Sequence, residues 1–232
     1  MIGGVQDLDR ALSTMPLLAP LTPEARSGLV ARLTLGDAPR TRVIFREGED
    51  GDTLHLILEG KVKISRASID GRESVLAVLG PGEVFGELSL FDPGPRTATA
   101  TALTDLAYAS LDHADLRPWL GTRPEAAELL LQVLARRLRR TNSALADLVF
   151  VDVPGRVAKA LLELADRFGQ PQADGAVRVE HGLTQEELAQ LVGASRETVN
   201  KALADFGARS WIRLESRAVV LLEPERLLHR AR

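Results

Sequence analysis

Residues 183–203 read Leu183-Thr-Gln-Glu-Glu-Leu-Ala-Gln-Leu-Val-Gly-Ala-Ser-Arg-Glu-Thr-Val-Asn-Lys-Ala-Leu203, two short helices with a turn between them. Thr184 with Glu187 three residues on is a capping box, which satisfies two of the backbone donors that a helix start leaves free. Gly193 supplies the turn, and Ser195 with Thr198 nearby starts a second helix. Leu188, Leu191, Val199 and Leu203 fall on the faces that lock the two helices together. Arg196, Glu197, Asn200 and Lys201 are left to project from the first turns of the second helix, the part of such a pair that meets base edges in a major groove. Arginine can take guanine O6 and N7 bidentately, and glutamate can accept from cytosine N4. By periodicity alone the same pattern fits any helical hairpin with a solvated face.

The surroundings predict a small winged domain over 154–232. A helix over 156–168 comes first, then a Gly/Pro-rich loop over 169–175 and a strand near 176–179. The two short helices follow, and a final strand pair over 212–214 and 218–222 completes the wing. Upstream, Pro154 and Gly155 interrupt the chain and make 150–153 a candidate hinge. Before it, 123–148 is expected to form one long helix with Pro124 in its first turn. Ala127, Leu131, Leu134, Leu138, Thr141, Leu145 and Leu148 then follow a heptad seam. That seam favours a homodimer over packing on the chain's own barrel, and a polar Thr141 within it can fix register. The dimerisation helix and hinge are placed at 123–153.

Residues 41–111 change to short alternating runs at 42–46, 53–59, 61–65, 74–79 and 97–101, divided by glycines, which predict a small β-barrel or sandwich within a domain over 1–122. Two helix candidates, near 7–12 and 23–33, precede it. Residues 85–98 contain Gly86-Glu-Leu-Ser89, then Pro93-Gly-Pro95, then Arg96-Thr-Ala98. Gly86 lets backbone N–H groups approach a phosphate, Arg96 offers it a forked cation, Ser89 and Thr97 add hydroxyls, and Glu87 can accept from a sugar hydroxyl. Without a relative to compare, an arginine and a glutamate flanking such a loop are more often a surface ion pair.

Composition sets limits. The 232 residues are 45% hydrophobic and 26% charged, an ordinary globular balance. No cysteine is present, which excludes disulfides, thiolate metal sites and a cysteine nucleophile, and is compatible with a reducing cytoplasm. No apolar run approaches a membrane span, and the first residues do not read as a secretory signal, so a cytoplasmic location is expected. Net charge is −3, composed of 17 basic against 21 acidic residues over 1–153 and 12 against 11 over 154–232. The basic excess of the second half is too slight to decide for nucleic acid.

Gly193-Ala-Ser-Arg-Glu-Thr-Val-Asn-Lys201 resembles the helix-turn-helix signature of the cyclic AMP receptor protein (CRP/FNR) family, Gly-x-Ser-Arg-Glu-Thr-Val-x-[Arg/Lys]. Gly86-Glu-Leu88 and Arg96-Thr-Ala98 resemble that family's phosphate-binding cassette, with an intervening loop one residue shorter than the enteric pattern. The two motifs stand in the family's order, and the resemblance runs from about Leu12 to Arg232. It implies an α+β chain: an N-terminal jelly-roll-like β-roll, a long dimerisation helix and a C-terminal winged helix-turn-helix. It also implies cyclic AMP as an allosteric ligand held by Gly86, Glu87, Leu88, Ser89, Arg96, Thr97, Arg137, Thr141 and Asn142. Base reading would fall to Arg196, Glu197 and Lys201, with Thr184, Ser195 and Thr198 on the DNA backbone. Lysine at 201 lacks the planar fork of arginine, which loosens discrimination there. The implied partners are double-stranded DNA at a palindrome near TGTGA-N6-TCACA, a second copy of the chain, and RNA polymerase. The run Arg136-Arg-Leu-Arg-Arg-Thr-Asn142 and the junction Asp152-Val-Pro-Gly-Arg156 look most like the cyclic AMP receptor branch.

An enzyme is the rival class, and the residues do not support one. There is no Walker loop, and Gly80-x-Gly82-x-x-x-Gly86 is one residue too long for a dinucleotide fingerprint. His55, His113, His181 and His229 have no metal spacing and are expected at the surface or at caps. The alternative within the same fold is a regulator independent of cyclic nucleotide, constitutive or responsive to another ligand such as haem through His55 or His113.

Overall fold

The computed structural model describes residues 5–15, 18–92 and 94–231. Residues 1–4, part of the segment weighed against a secretory signal, lie outside the described residues, as do Pro93 of the cassette loop and Arg232 at the end of the winged domain. Two compact units emerge, Met1–Ile64 with Val78–Arg139 and Ser65–Ala77 with Arg140–Arg232.

The chain opens with α1 (Val5–Thr14) and α2 (Pro23–Val30), then runs through β1 (Thr34–Ala38), β2 (Val43–Phe45), β3 (Thr53–Glu59), β4 (Val62–Ala67), β5 (Glu73–Leu79) and β6 (Val84–Phe85). The short α3 (Leu88–Phe91) leads to β7 (Thr99–Ala102), β8 (Leu106–Asp112), α4 (His113–Gly121) and the long α5 (Pro124–Phe150). Two four-stranded sheets result, in the orders β1-β8-β3-β6 and β2-β7-β4-β5. Strand β3 shows why they pack as layers. Alternate side chains of a strand point to opposite faces, and Leu54, Leu56 and Leu58 join the cluster of Leu12, Leu29, Leu116, Trp119 and Ala126 from the helices. On the other face His55 stacks against Phe45 of the second sheet at 5.8 Å between ring centroids.

The second unit continues with α6 (Val153–Phe168), β9 (Gly169–Pro171), β10 (Val177–Val179), α7 (Gln185–Val192), α8 (Arg196–Ala208), β11 (Ile212–Glu215), β12 (Ala218–Leu221) and α9 (Pro224–Arg230). Its sheet order is β11-β12-β10-β9. Helix α6 buries Val157, Ala158, Leu161 and Leu164, a stripe at helical spacing. Each buried leucine of this kind contributes roughly 1.5–3 kcal/mol. Phe206 and Trp211 stack at 5.5 Å beside it.

The α+β architecture matches the sequence expectation, with several local differences. Helix α6 begins at Val153, not near Arg156, because Pro154 in a first turn lacks only an N–H that would have had no helical partner. Asp152 caps that start, its Oδ1 accepting from Gly155 N at 3.0 Å. Gly155 serves close packing rather than freedom, since a Cβ there would lie 2.6 Å from Val151 Cγ1 and 3.1 Å from the Arg230 carbonyl oxygen. Part of the expected 169–175 loop is strand β9, paired with β10. His55 and His181 are buried rather than superficial: His55 Nδ1 meets Ser110 Oγ at 2.9 Å, and His181 Nδ1 accepts from Leu183 N at 3.1 Å. Along α5, Leu131, Leu138, Leu145 and Leu148 are 64, 61, 63 and 52% exposed, so the seam leucines find little cover within the chain. Membrane crossing by a helix has no candidate among the described residues.

Candidate functional site

Gly86 closes strand β6 with φ +78°, a left-handed turn that costs a glycine little. A Cβ there would stand 2.6 Å from Arg96 Nη1. The turn delivers Glu87 and α3, while Arg96 returns from the loop immediately before β7. Arg96 is 6% exposed. Its Nη1 donates to the Gly86 carbonyl at 2.7 Å and to Ser89 Oγ at 3.1 Å, and Nη2 donates to the Thr53 carbonyl at 2.9 Å. The Phe45 ring lies under the guanidinium, 4.2 Å from its carbon to the ring centroid. Burial pulls the Arg96 pKa below its ordinary value, opposed by the negative charges of Asp52, Glu87 and Glu49. Even so, none of these carboxylates bonds to it, and Nε is buried without a partner.

Glu87 is 1% exposed. Its Oε1 accepts from Arg137 Nη1 of α5, whose Nη2 also donates to the Val84 carbonyl at 2.8 Å. Its Oε2 is buried with no hydrogen-bond partner. A buried cation that no carboxylate touches and a buried carboxylate oxygen without a donor are both costly arrangements. They suit a ligand that brings an anion and a hydroxyl. Beside Gly51, whose added Cβ would lie 2.4 Å from Arg96 Nε, opens a cleft of about 510 Å³ lined by Asp50, Gly51, Asp52, Ser89, Gly94, Pro95 and His113.

The structure thus brings Gly86, Glu87, Ser89, Arg96 and Arg137 together. Leu88 and Thr97 sit on the same segments with exposed side chains, and Thr141 and Asn142 are exposed on α5 one turn beyond Arg137. Three contributors escaped sequence reasoning. Phe45, Gly51 and Thr53 reach Arg96 from β2, the connection after it and the start of β3, and nothing local in their runs marks them out. His55 is enclosed by Phe45, Phe85 and Tyr108 rather than facing a cleft, whereas His113 lines one.

In the second unit the capping box forms as the spacing predicts. Thr184 Oγ1 accepts from Glu187 N at 3.1 Å, and Glu187 Oε2 accepts from Thr184 N at 2.8 Å. Gly193 ends α7 in the left-handed region. Ser195 caps α8, its Oγ accepting from Thr198 N at 3.2 Å and lying 2.8 Å from Thr198 Oγ1. Arg196, Glu197 and Lys201 are exposed on α8, and their side chains have no hydrogen-bond or ion-pair partner among the described residues. Asn200, read as projecting, is half-buried with Oδ1 unpartnered, because it lies beside the buried Val199 at the edge of the apolar face.

Comparison with known proteins follows the same division. The cyclic nucleotide-binding domain family matches residues 37–122, and the Crp-like helix-turn-helix domain family matches residues 155–230. A CRP-like cAMP-activated global transcriptional regulator of Mycobacterium tuberculosis is 57% identical over 225 residues, 97% of this chain and 100% of that protein. The cyclic AMP receptor protein of Thermus thermophilus is 37% identical over 213 residues, 90% of this chain and 95% of that one. Among solved structures, a CRP-family transcriptional regulator from Thermus thermophilus is similar with a TM-score of 0.72 at 30% identity, covering 84% of this chain and 96% of its own.

Proposed function

This chain belongs to the CRP-like transcriptional regulators, and from that membership we propose that it is a homodimeric, cyclic AMP-responsive regulator that reads a palindrome near TGTGA-N6-TCACA. The observation that carries the ligand is the pair of buried, unsatisfied groups, Arg96 Nε without an acceptor and Glu87 Oε2 without a donor among the described residues. A cyclic phosphate would meet Arg96, Ser89, Thr97 and the amides following Gly86, with Leu88 against its sugar. The ribose 2′-hydroxyl would donate to Glu87, which Arg137 orients through the other carboxylate oxygen. Thr141 and Asn142 would face the base from the seam helix. A ligand lacking the anion would leave the Arg96 charge uncompensated, which is the physical source of selectivity.

Dimerisation through the α5 seam would cover the exposed leucines and present two α8 helices one DNA turn apart, about 34 Å. Arg196, Glu197 and Lys201 read base edges, while Thr184, Ser195 and Thr198 position the backbone. Thr184 does so with a hydroxyl already engaged in its capping box. The ligand acts by binding one arrangement of the dimer better than the other, since equal affinity for both would shift nothing. The domain limits consistent with this reading are 1–122 for the receptor, 123–153 for the seam helix and 154–232 for DNA. The wing orients DNA for RNA polymerase, and the chain works in the cytoplasm without catalysing a reaction.

A gel shift at fixed salt on the palindrome tests this, with and without cyclic AMP, using wild type and Arg96→Ala. Tighter binding with nucleotide, lost in the variant while binding without nucleotide stays equal, is the expected result. Binding of wild type indifferent to nucleotide overturns the ligand assignment and leaves a constitutive regulator.

A further inference from the structure

Arg96 is buried with no carboxylate bonded to it, and the residues that contact it extend beyond the cassette. We infer that the aromatic stack Phe45–His55–Phe85 is a platform that positions the Arg96 guanidinium for an anionic ligand, with Phe45 as the positioning residue in contact with it. The inference rests on the reading of Arg96 as the phosphate arm and adds the device that holds it.

Phe45 lies 4.2 Å from the guanidinium carbon, a cation–π contact in a desolvated setting, where such contacts are strongest. Phe45 is in turn fixed by neighbours. His55 stacks on it at 5.8 Å with 26° between planes, and Phe85 approaches it at 5.8 Å. His55 and Phe85 stack at 4.9 Å, and Ser110 Oγ sits 2.9 Å from His55 Nδ1. The platform joins β2 on one side to β3, β6 and β8 on the other.

The choice of an aromatic face has a chemical consequence. A carboxylate in Phe45's place would neutralise Arg96 and compete with an incoming anion, whereas a ring stabilises the cation without occupying its hydrogen-bond edge. Nε and one Nη2 hydrogen therefore carry no hydrogen bond among the described residues, since Nη1 is used twice and Nη2 once. Phe45 holds the arm in place and leaves its charge for the ligand.

A double-mutant cycle on the purified full chain separates positioning from general packing. Cyclic AMP is titrated into wild type, Phe45→Leu, Phe45→Tyr, Arg96→Ala and the Phe45→Leu/Arg96→Ala pair. Phe45→Leu is expected to weaken nucleotide binding about fivefold to tenfold, Phe45→Tyr to restore it, and Phe45→Leu to cost nothing further once Arg96 is alanine. An equal loss in both backgrounds makes Phe45 a packing residue and overturns the inference, as does wild-type affinity in Phe45→Leu. Wild type that binds no cyclic nucleotide removes the phosphate-arm reading and the platform with it. Should Phe45→Leu melt below the assay temperature, Phe45→Met keeps an unbranched apolar side chain at this half-buried site and takes its place in the cycle.

Discussion

Arg156 Nε donates to the Val192 carbonyl at 3.0 Å, tying the first turns of α6 to the end of α7. The same guanidinium donates from Nη1 to the Val151 carbonyl at 2.8 Å and from Nη2 to the Gly193 carbonyl at 3.2 Å. One side chain therefore satisfies carbonyls at two helix ends, after α5 and at the helix-turn-helix turn. Nearby, Lys159 pairs with Asp147 and Arg230 pairs with Asp152. The break between α5 and α6 is consequently fastened to the DNA-binding unit, and movement of the α5 end is expected to carry the turn with it.

Arg156→Ala should destabilise the second unit by about 1–3 kcal/mol, because part-buried carbonyls lose their donors. Arg156→Lys should not restore it, since a single ammonium cannot span three acceptors. Denaturant unfolding checks both. Lysine matching wild type would show that charge alone matters here.

Arg196 stands exposed and unpaired on the first turn of α8. Its replacement by alanine removes no internal contact, so the melting temperature should hold. DNA affinity should fall by about 1–3 kcal/mol, and preference at a single guanine position should relax. Competition gel shifts against single-base variants of the palindrome read this out. A uniform loss across all variants would make Arg196 a phosphate contact instead.

Leu145 is 63% exposed on the seam. An exposed site tolerates a charge in the isolated chain, so Leu145→Asp should leave folding intact. In a dimer it would place two carboxylates in an apolar seam, and a dissociation constant raised about a hundredfold is expected. Sedimentation equilibrium measures the change, and loss of cooperative binding to the full palindrome should accompany it. An unaltered dimer would place the interface elsewhere.

The parts legible in the sequence are those whose causes are local. Thr184 with Glu187, Gly193, and Ser195 with Thr198 lie within four residues of what they satisfy, so the two helices of the second unit stand where the spacing puts them. Strand β1 was not legible, because Thr-Leu-Gly-Asp-Ala carries two poor strand formers. Its cause is tertiary: it pairs with β8, and Tyr108 of that strand fills the space above Gly36, where a Cβ would lie 2.7 Å from the ring. Helix α4, with Pro118 inside it, gave no helical signal either. At the site, Glu87 and Arg96 were found through motif resemblance. Phe45, Gly51 and Thr53 reach Arg96 through the way β2, β3 and their connection fold over it, which no run of residues announces. The sequence around His55 fits a histidine at the surface or at a cap, and the aromatic layer that buries it forms only when the two sheets meet.

Burial, reinforced by the Arg96 cation, holds the His55 imidazole down to about 4 from an ordinary 6.5. As pH falls below 6.5 the unfolded chain takes up a proton at this residue, while the folded chain stays neutral until about 4. The unfolded state is therefore favoured progressively across that window, by about 1.4 kcal/mol per pH unit. Above pH 6.5 neither state carries the proton, and the residue adds no pH dependence. Between pH 7 and pH 5 the wild type should lose about 2 kcal/mol more stability than His55→Phe, which cannot titrate. Denaturant unfolding of both proteins at the two pH values isolates this difference, because the carboxylates contribute alike to each. Parallel losses would mean that His55 protonates in the folded chain as readily as in water, and that the platform opens to solvent.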